Sequence, residues 1–233
     1  MSSPPDPSSR RDFLRHLIAL LPTLSLGGCV PFRAARNARA PAFAPRYFTW
    51  AEFAFLHAAC ARLIPSDQNG PGAVELGVLE FIDRQLDGAF GHAATWYMQG
   101  PFVTGLPEFG YQSRLTPREV YRAGVAAVDA HCRRSLGGKA FCELPSAAQD
   151  AVLTQLESGT LDFEGVSSPS FFGFLLENTK EGYLADPIHG GNRGLESWKL
   201  IGFPGARADF IDWVGKHGAH YTLSPVGIAG GEG

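Results

Sequence analysis

The stretch TPREVYRAGVAAVDAHCRRSLG, residues 116–137, is the clearest helical signal in the sequence. Thr116 and Glu119 have the spacing of a capping box, and Pro117 occupies the first helical position, where a missing N–H costs nothing. Gly137 is a natural carboxyl-terminal cap. The apolar residues between these limits recur at spacings of four, three and four, which places them on one face: Tyr121, Val125, Val128 and Cys132. The stretch therefore predicts an amphipathic helix that packs on a core.

Similar signals on both sides of this stretch predict further helices. One begins at Thr49, where Glu52 completes a capping box, and ends at Pro65. Apolar runs and start signals predict the others, at residues 74–86, 90–98, 146–159, from 168 onward and 206–216. Alternating strand patterns are scarce. The fold class expected is all-α, a single irregular domain of about six or seven helices with a long Gly/Pro-rich loop before the last helix. This domain should span residues 49–221, followed by a flexible tail, 222–233.

Composition and charge exclude two classes of function. The chain has 233 residues, of which 45% are hydrophobic, and a formal net charge of −3. No basic block occurs beyond the amino terminus, and proteins that bind nucleic acid need a basic patch to neutralise phosphates, so we expect no nucleic-acid partner. The sequence contains no run of about 18 apolar residues, so we expect no ordinary transmembrane helix.

The amino terminus resembles a twin-arginine (Tat) export signal. Residues 9–15 read SRRDFLR, and a modestly apolar stretch, 17–26, follows. The matching positions are Arg10, Arg11, Phe13 and Leu14. The alternative is a basic, frayed helix start, but paired arginines followed at once by Phe-Leu and an apolar run favour a signal peptide over residues 1–28.

The end of this segment, LGGC at residues 26–29, resembles a bacterial lipobox. In that interpretation Cys29 becomes the lipidated first residue, and residues 29–48, rich in Pro, Ala and Arg, form a linker. The alternative is ordinary cleavage after Ala40, which Pro41 disfavours. The expected location is periplasmic, with a lipid anchor in the membrane surface.

The densest motif is FFGFLLENTKEGYLADPIHGGNRGLESWKLIGFPG, residues 171–205. It resembles the gluconate 2-dehydrogenase subunit 3 family, and the similarity extends over residues 49–215. The matching residues are Thr179, Glu181, Gly182, Tyr183, Asp186, Pro187, Gly190, Gly191, Asn192, Trp198, Ile201, Gly202, Phe203, Pro204 and Gly205. His189 departs from the pattern, where a bulky residue is expected.

The motif has a physical logic of its own. Adjacent glycines allow a tight turn, Asn192 tolerates the left-handed region, and a buried Trp198 would need an acceptor for its indole N–H. A long shaped loop is more often functional than not, so we interpret it as a partner-docking surface. The docking residues are Glu181, Gly182, Tyr183, Asp186, Pro187, Gly190, Gly191, Asn192, Trp198, Gly202, Phe203, Pro204 and Gly205.

The resemblance implies a small subunit of an oxidoreductase complex. Such subunits accompany a large FAD-dependent dehydrogenase of the glucose-methanol-choline type, often with a multihaem cytochrome c. FAD and haem c would then belong to partner subunits, and the Tat translocase would carry the assembled pair. Motifs for covalent haem, zinc hydrolysis, phosphate or dinucleotide binding are absent from the sequence, so we expect no catalytic, cofactor or metal residue here.

Two chemical alternatives remain. In the first, the protein is a stand-alone periplasmic lipoprotein in which Asp186 and His189 form a chemical site. His189 could be a base oriented by the Asp186 carboxylate, or the two could be half of a metal site. A histidine in a loop, however, more often hydrogen-bonds the carbonyls of its own turn. Glu177 and Glu181, four residues apart on one helix face, could act as a carboxylate pair, although such pairs are more often solvated.

The cysteines left after lipidation of Cys29 are odd in number: Cys60, Cys132 and Cys142. One disulfide with one spare thiol is one interpretation, in which the spare, Cys142, bonds a partner subunit. The alternative is buried free thiols, since Cys60 and Cys132 both fall on apolar helix faces.

Overall fold

The computed structural model describes residues 43–103 and 105–230. Within them the chain forms six α-helices: α1 Trp50–Leu63, α2 Val78–Asp87, α3 Pro117–Ser135, α4 Ser146–Glu157, α5 Ser168–Leu184 and α6 Glu196–Ile201. Short 3-10 turns lie at Pro107–Phe109, Phe141–Glu143, Pro187–His189, Arg193–Leu195 and Ile211–Trp213. The described part contains no strand, only two isolated bridges. The prediction of a single all-α domain is confirmed.

The predicted export signal and lipidation site lie outside the described residues: Arg10, Arg11, Phe13, Leu14 and Cys29. Most of the predicted linker lies outside them too. Among the helices of the described part, none is long and apolar enough to cross a membrane.

Local sequence fixes where the helices begin. Thr49 Oγ1 accepts the N–H of Glu52 at 3.3 Å, and Glu52 Oε2 accepts the N–H of Thr49 at 2.9 Å. At the start of α3, Glu119 Oε2 accepts the N–H of Thr116 at 2.7 Å. Each box satisfies backbone donors that the first helical turn leaves unpaired, so both predicted starts are confirmed.

Helix α5 occupies the centre of the bundle and packs against each of the other helices. Phe171 on its inner face is fully buried against Phe55 of α1 and Tyr121 of α3. Gly124 of α3 permits this approach, because a Cβ atom there would lie 2.3 Å from Phe171 Cδ2. Burial of each large apolar side chain contributes about 1.5–3 kcal/mol, so α5 organises the core.

A buried carboxylate fixes the segment before α1 onto α2. Asp83 is fully buried, and its Oδ1 accepts the N–H groups of Tyr47 and Phe48 at 3.1 and 3.0 Å. Its Oδ2 accepts the N–H of Arg46 at 2.7 Å. Three donors satisfy the charge that burial would otherwise penalise, which makes Asp83 the anchor of the chain's entry into the domain.

Two predicted helices are wrong. Residues 90–98 form turns rather than a helix. Residues 206–216 contain only the 3-10 turn Ile211–Trp213, and their apolar side chains are largely exposed, so no helix face forms there. The loop predicted before the last helix instead contains α6, which the sequence analysis missed.

Candidate interaction surface

The predicted docking motif is largely internal. Its buried members are Gly182, Asp186, Gly190, Gly191, Asn192 and Trp198. Four others are half-buried: Tyr183, Pro187, Pro204 and Gly205. Only Glu181, Gly202 and Phe203 are exposed. The motif therefore builds a scaffold that joins the end of α5 to α6, and most of its side chains face inward.

Asn192 is the polar centre of this scaffold. It is fully buried and adopts the left-handed region, with φ of 45°. Its Nδ2 donates to the carbonyl of Ala185 at 3.0 Å, and its Oδ1 accepts the N–H of Ser197 at 3.0 Å. One side chain thus pairs two backbone groups that lie on either side of the turn, which explains the choice of asparagine.

Two glycines let the turn pack tightly against α5. A Cβ atom on Gly191 would lie 1.9 Å from the carbonyl oxygen of Gly182, and a Cβ on Gly182 would lie 2.7 Å from Phe81 Cδ1. No side chain can occupy either space. The sequence predicted a tight turn at the glycine pair, and the structure shows that the tightness serves packing between the turn, α5 and α2.

Asp186 holds the carboxyl-terminal segment. Its Oδ1 accepts the N–H of Ile188 at 3.0 Å, and its Oδ2 accepts the N–H of Ile228 at 2.7 Å. Nearby, Val226 pairs with Gly205 in an isolated parallel bridge. Residues 226–228, which lie within the predicted flexible tail, contact the motif at these two points.

Trp198 joins α6 to the end of α5. Its indole N–H donates to the carbonyl of Leu184 at 2.7 Å, the acceptor that the sequence analysis required. Its ring packs edge-on against Phe203, with ring centroids 4.9 Å apart. α6 is therefore held firmly although it has only six residues.

Apolar side chains stand exposed around this scaffold. Ile201 is 58% exposed, Leu200 50% and Phe203 45%. Three further exposed apolar residues lie at the end of α5, in the neighbouring turn and in the returning segment: Leu184, Ile188 and Ile228. We call these six residues the apolar rim. Beside them, α6 with residues 202–204 and the returning segment 220–225 line a groove of about 200 Å³. Of the rim, the sequence analysis placed only Phe203 among the docking residues, although Ile201 also matches the family motif; the other four lie between motif residues or outside the motif.

The alternative chemical centre at Asp186 and His189 gains no support from the geometry. Both carboxylate oxygens of Asp186 are engaged by backbone N–H groups, and the link to His189 runs from its backbone N–H to the Asp186 carbonyl, at 3.0 Å. Within the described residues no group of three or more His, Cys, Asp or Glu side chains is placed to hold a metal ion. Asp186 is a structural residue in this arrangement.

The three cysteines within the described residues are free thiols. Cys60 and Cys132 are buried, and Cys142 is exposed beside α1. Burial raises the pKa of the Cys60 thiol to about 12 and that of Cys132 to about 11. This arrangement agrees with the alternative of buried thiols for Cys60 and Cys132, while a bond from Cys142 to a partner stays a prediction.

No curated protein and no solved structure matches the chain. A family model does match, over residues 51–205, which spans α1 to α6 and the whole motif. That family is described as gluconate 2-dehydrogenase subunit 3, a subunit of a multi-subunit dehydrogenase complex. Because this match covers most of the chain, the chain belongs to the gluconate 2-dehydrogenase subunit 3 family.

Proposed function

We propose that the chain is a non-catalytic small subunit that binds, stabilises and escorts through the Tat pathway a large FAD-dependent dehydrogenase subunit of the glucose-methanol-choline type. FAD, and haem c where a cytochrome subunit completes the complex, would be bound by the partners. A sugar or alcohol would be oxidised in the large subunit. The observation that carries the proposal is the apolar rim around a buried, well-packed motif, within a chain of this family.

The rim supports docking because its exposure is costly for a free protein. Leu200 and Ile201 are adjacent and both at least half exposed at the end of α6, where burial against a partner would remove large apolar areas from water. The scaffold beneath them is fixed by Asn192, Trp198 and Asp186. A surface that is already ordered loses little conformational entropy on binding, which favours a stable subunit contact.

The export part of the proposal rests on the sequence. Tat translocation carries folded proteins, so a flavoprotein without its own signal could cross while bound to this chain. Arg10 and Arg11 would then address both subunits, and lipidation of Cys29 would keep them at the periplasmic membrane surface.

The binding test is a pull-down of the tagged full-length chain from its native envelope fraction, read by flavin absorbance and mass spectrometry. We expect a co-purifying flavoprotein with bound FAD. Leu200→Asp with Ile201→Asp should remove it, whereas Ala151→Asp, at an exposed position of α4, should not. A wild-type chain recovered alone, or a rim variant that retains the flavoprotein, would contradict the docking assignment.

The export test replaces both Arg10 and Arg11 with lysine in the native host. We expect this chain and the flavoprotein to remain in the cytoplasm together. Export of the flavoprotein without this chain would refute the escort role while leaving the subunit contact intact. For the anchor, Cys29→Ser should release the complex from membranes, and unchanged membrane retention would refute lipidation at this residue.

A further inference from the structure

A second groove lies between α5 and the segments around Phe90 and Tyr111. Its volume is about 490 Å³, more than twice that of the groove beside α6. Phe90, Tyr111 and Phe174 supply its apolar lining, and Glu177, Asn178 and Glu181 line its α5 side. Of these, only Glu181 belongs to the family motif as matched above.

The floor of the groove is an ordered aromatic cluster. Tyr111 packs on Phe174 and on Trp96, with ring centroids 5.5 and 5.2 Å apart, and Phe90 packs on Trp96 at 5.9 Å. The Tyr111 hydroxyl donates to the carbonyl of Leu115 at 2.5 Å. These contacts fix the floor, so an incoming apolar side chain meets a preformed surface.

Gly173 keeps the groove open. It lies inside α5, yet no atom comes within 4 Å of the position its Cβ would take, in contrast to the tightly packed Gly124. Glycine within a helix costs about 0.5–1 kcal/mol relative to alanine, and no internal packing requires it here. The missing side chain exposes helix backbone to whatever enters the groove.

The α5 wall of the groove is acidic. Glu181 is exposed and accepts the Nδ2–H of Asn178 at 2.9 Å, but within the described residues it has no ion-pair partner. One turn earlier, Glu177 pairs with Lys180 at 2.7 Å. The uncompensated charge of Glu181 would be satisfied by a Lys or Arg side chain next to the apolar floor.

A segment at the edge of the groove adds exposed apolar surface. Trp96 and Tyr111, which contact each other, close the base of the segment between them. That segment, described over residues 97–103 and 105–110, carries large exposed side chains: Tyr97, Phe102, Val103, Leu106 and Phe109. We call it the apolar arm. Its exposure is larger than scattered surface apolar residues explain.

We propose that this groove and the apolar arm bind a segment of the large dehydrogenase subunit in which an aliphatic or aromatic anchor is flanked by Lys or Arg. The inference rests on the proposed function, since it assigns that partner a second contact. The anchor enters the space beside Gly173, its basic neighbour pairs with Glu181, and the exposed side chains of the apolar arm contact the bound segment. The carboxylates of Glu177 and Glu181 disfavour an anionic membrane surface as the occupant.

The test compares variants of the full-length chain for retention of the flavoprotein. Gly173→Leu fills the groove, and Gly173→Ala is its matched control because a methyl group meets no atom there. We expect about tenfold weaker binding for Gly173→Leu and a change within about twofold for Gly173→Ala. Glu181→Gln keeps an acceptor for Asn178 but removes the charge, so it should weaken binding about tenfold at low salt and much less at high salt.

The outcomes separate this inference from the proposed function. The subunit role stands if the wild-type chain retains the flavoprotein and the rim variant loses it. If, in that case, folded Gly173→Leu and Glu181→Gln still bind as the wild type does, the groove assignment is wrong. Should Gly173→Leu fail to fold, Glu181→Gln decides. The Cys29→Ser chain, which carries no lipid, can also be tested for binding to vesicles of phosphatidylcholine and phosphatidylglycerol. If it binds them and the added substitution Gly173→Leu abolishes that binding, the groove binds a membrane and the proposed protein partner is wrong.

Discussion

Replacing Asn192 by alanine removes both hydrogen bonds that hold the turn between α5 and α6. The Ala185 carbonyl and the Ser197 N–H would lose their partner inside the protein, and each unpaired buried group costs about 1–3 kcal/mol. Alanine also tolerates the left-handed backbone at φ of 45° less well than asparagine, by about 1 kcal/mol. We expect a loss of about 3–7 kcal/mol in the free energy of unfolding, or roughly 10–20 °C in Tm.

Two companion variants separate the contributions. Asn192→Gly loses the same hydrogen bonds without the backbone strain, so it should be about 1 kcal/mol more stable than Asn192→Ala. Asn69→Ala removes an asparagine from an exposed turn, where the loss should stay within about 0.5 kcal/mol. The assay is urea unfolding followed by circular dichroism. A loss below about 1 kcal/mol in Asn192→Ala, or a glycine variant less stable than the alanine variant, would refute the role given to Asn192.

Three further predictions concern the core, the entry segment and the thiols. Gly124→Ala should destabilise the fold by about 1–3 kcal/mol because its Cβ would overlap Phe171. Gly173→Ala, where no atom is near, should stabilise the fold by about 0.5–1 kcal/mol. If urea unfolding ranks the two variants in the opposite order, the packing described for α3 and α5 is wrong. Asp83→Ala should cost at least about 3 kcal/mol, because three backbone N–H groups lose a charged acceptor; a change below about 1 kcal/mol in the same assay would exclude the anchoring role. Alkylation of the native protein, read by mass spectrometry, should modify Cys142 first because this thiol is exposed. Its rate should increase as the pH rises, because partial burial, Asp129 and Glu143 raise the pKa of Cys142 above the ordinary thiol value. Burial raises the pKa of Cys60 to about 12, so this thiol should react only after unfolding. The contribution of Cys60 to the free energy of unfolding should fall as the pH rises above the ordinary thiol pKa of 9.0, because the unfolded chain then releases a proton that the folded chain retains.

The helices that the sequence predicted well are those whose ends carry local signals. Thr49 with Glu52 and Thr116 with Glu119 act over three residues, so the sequence contains the whole interaction. The segment 206–216 shows the opposite case. It has helical spacing of apolar residues, but the structure ties Arg207 to the carbonyl of Ser224 and Ala206 to that of Val226. Contacts with the returning chain outweigh local propensity there.

The sequence identifies the motif, residues 171–205, but not the architecture that it adopts. The sequence predicts that the motif faces a partner, whereas Asn192 and Asp186 point into the protein and pair with backbone groups outside their own turn. Burial of this kind depends on which parts of the chain meet in space, and Ile228 lies 42 residues from Asp186. α6 was missed because six residues are too few to reveal a helical period between two glycine-rich turns.

The link between Asp186 and residues 226–228 has a consequence for synthesis. Residues 226–228 are synthesised after α6, so the region around α6 cannot reach its final form before they have left the ribosome. A chain that stops before residue 226 would contain all six helices but would leave one oxygen of Asp186 without its donor and Gly205 without Val226. The apolar rim, which includes Ile228, is therefore complete only after residues 226–228 have packed back against the motif.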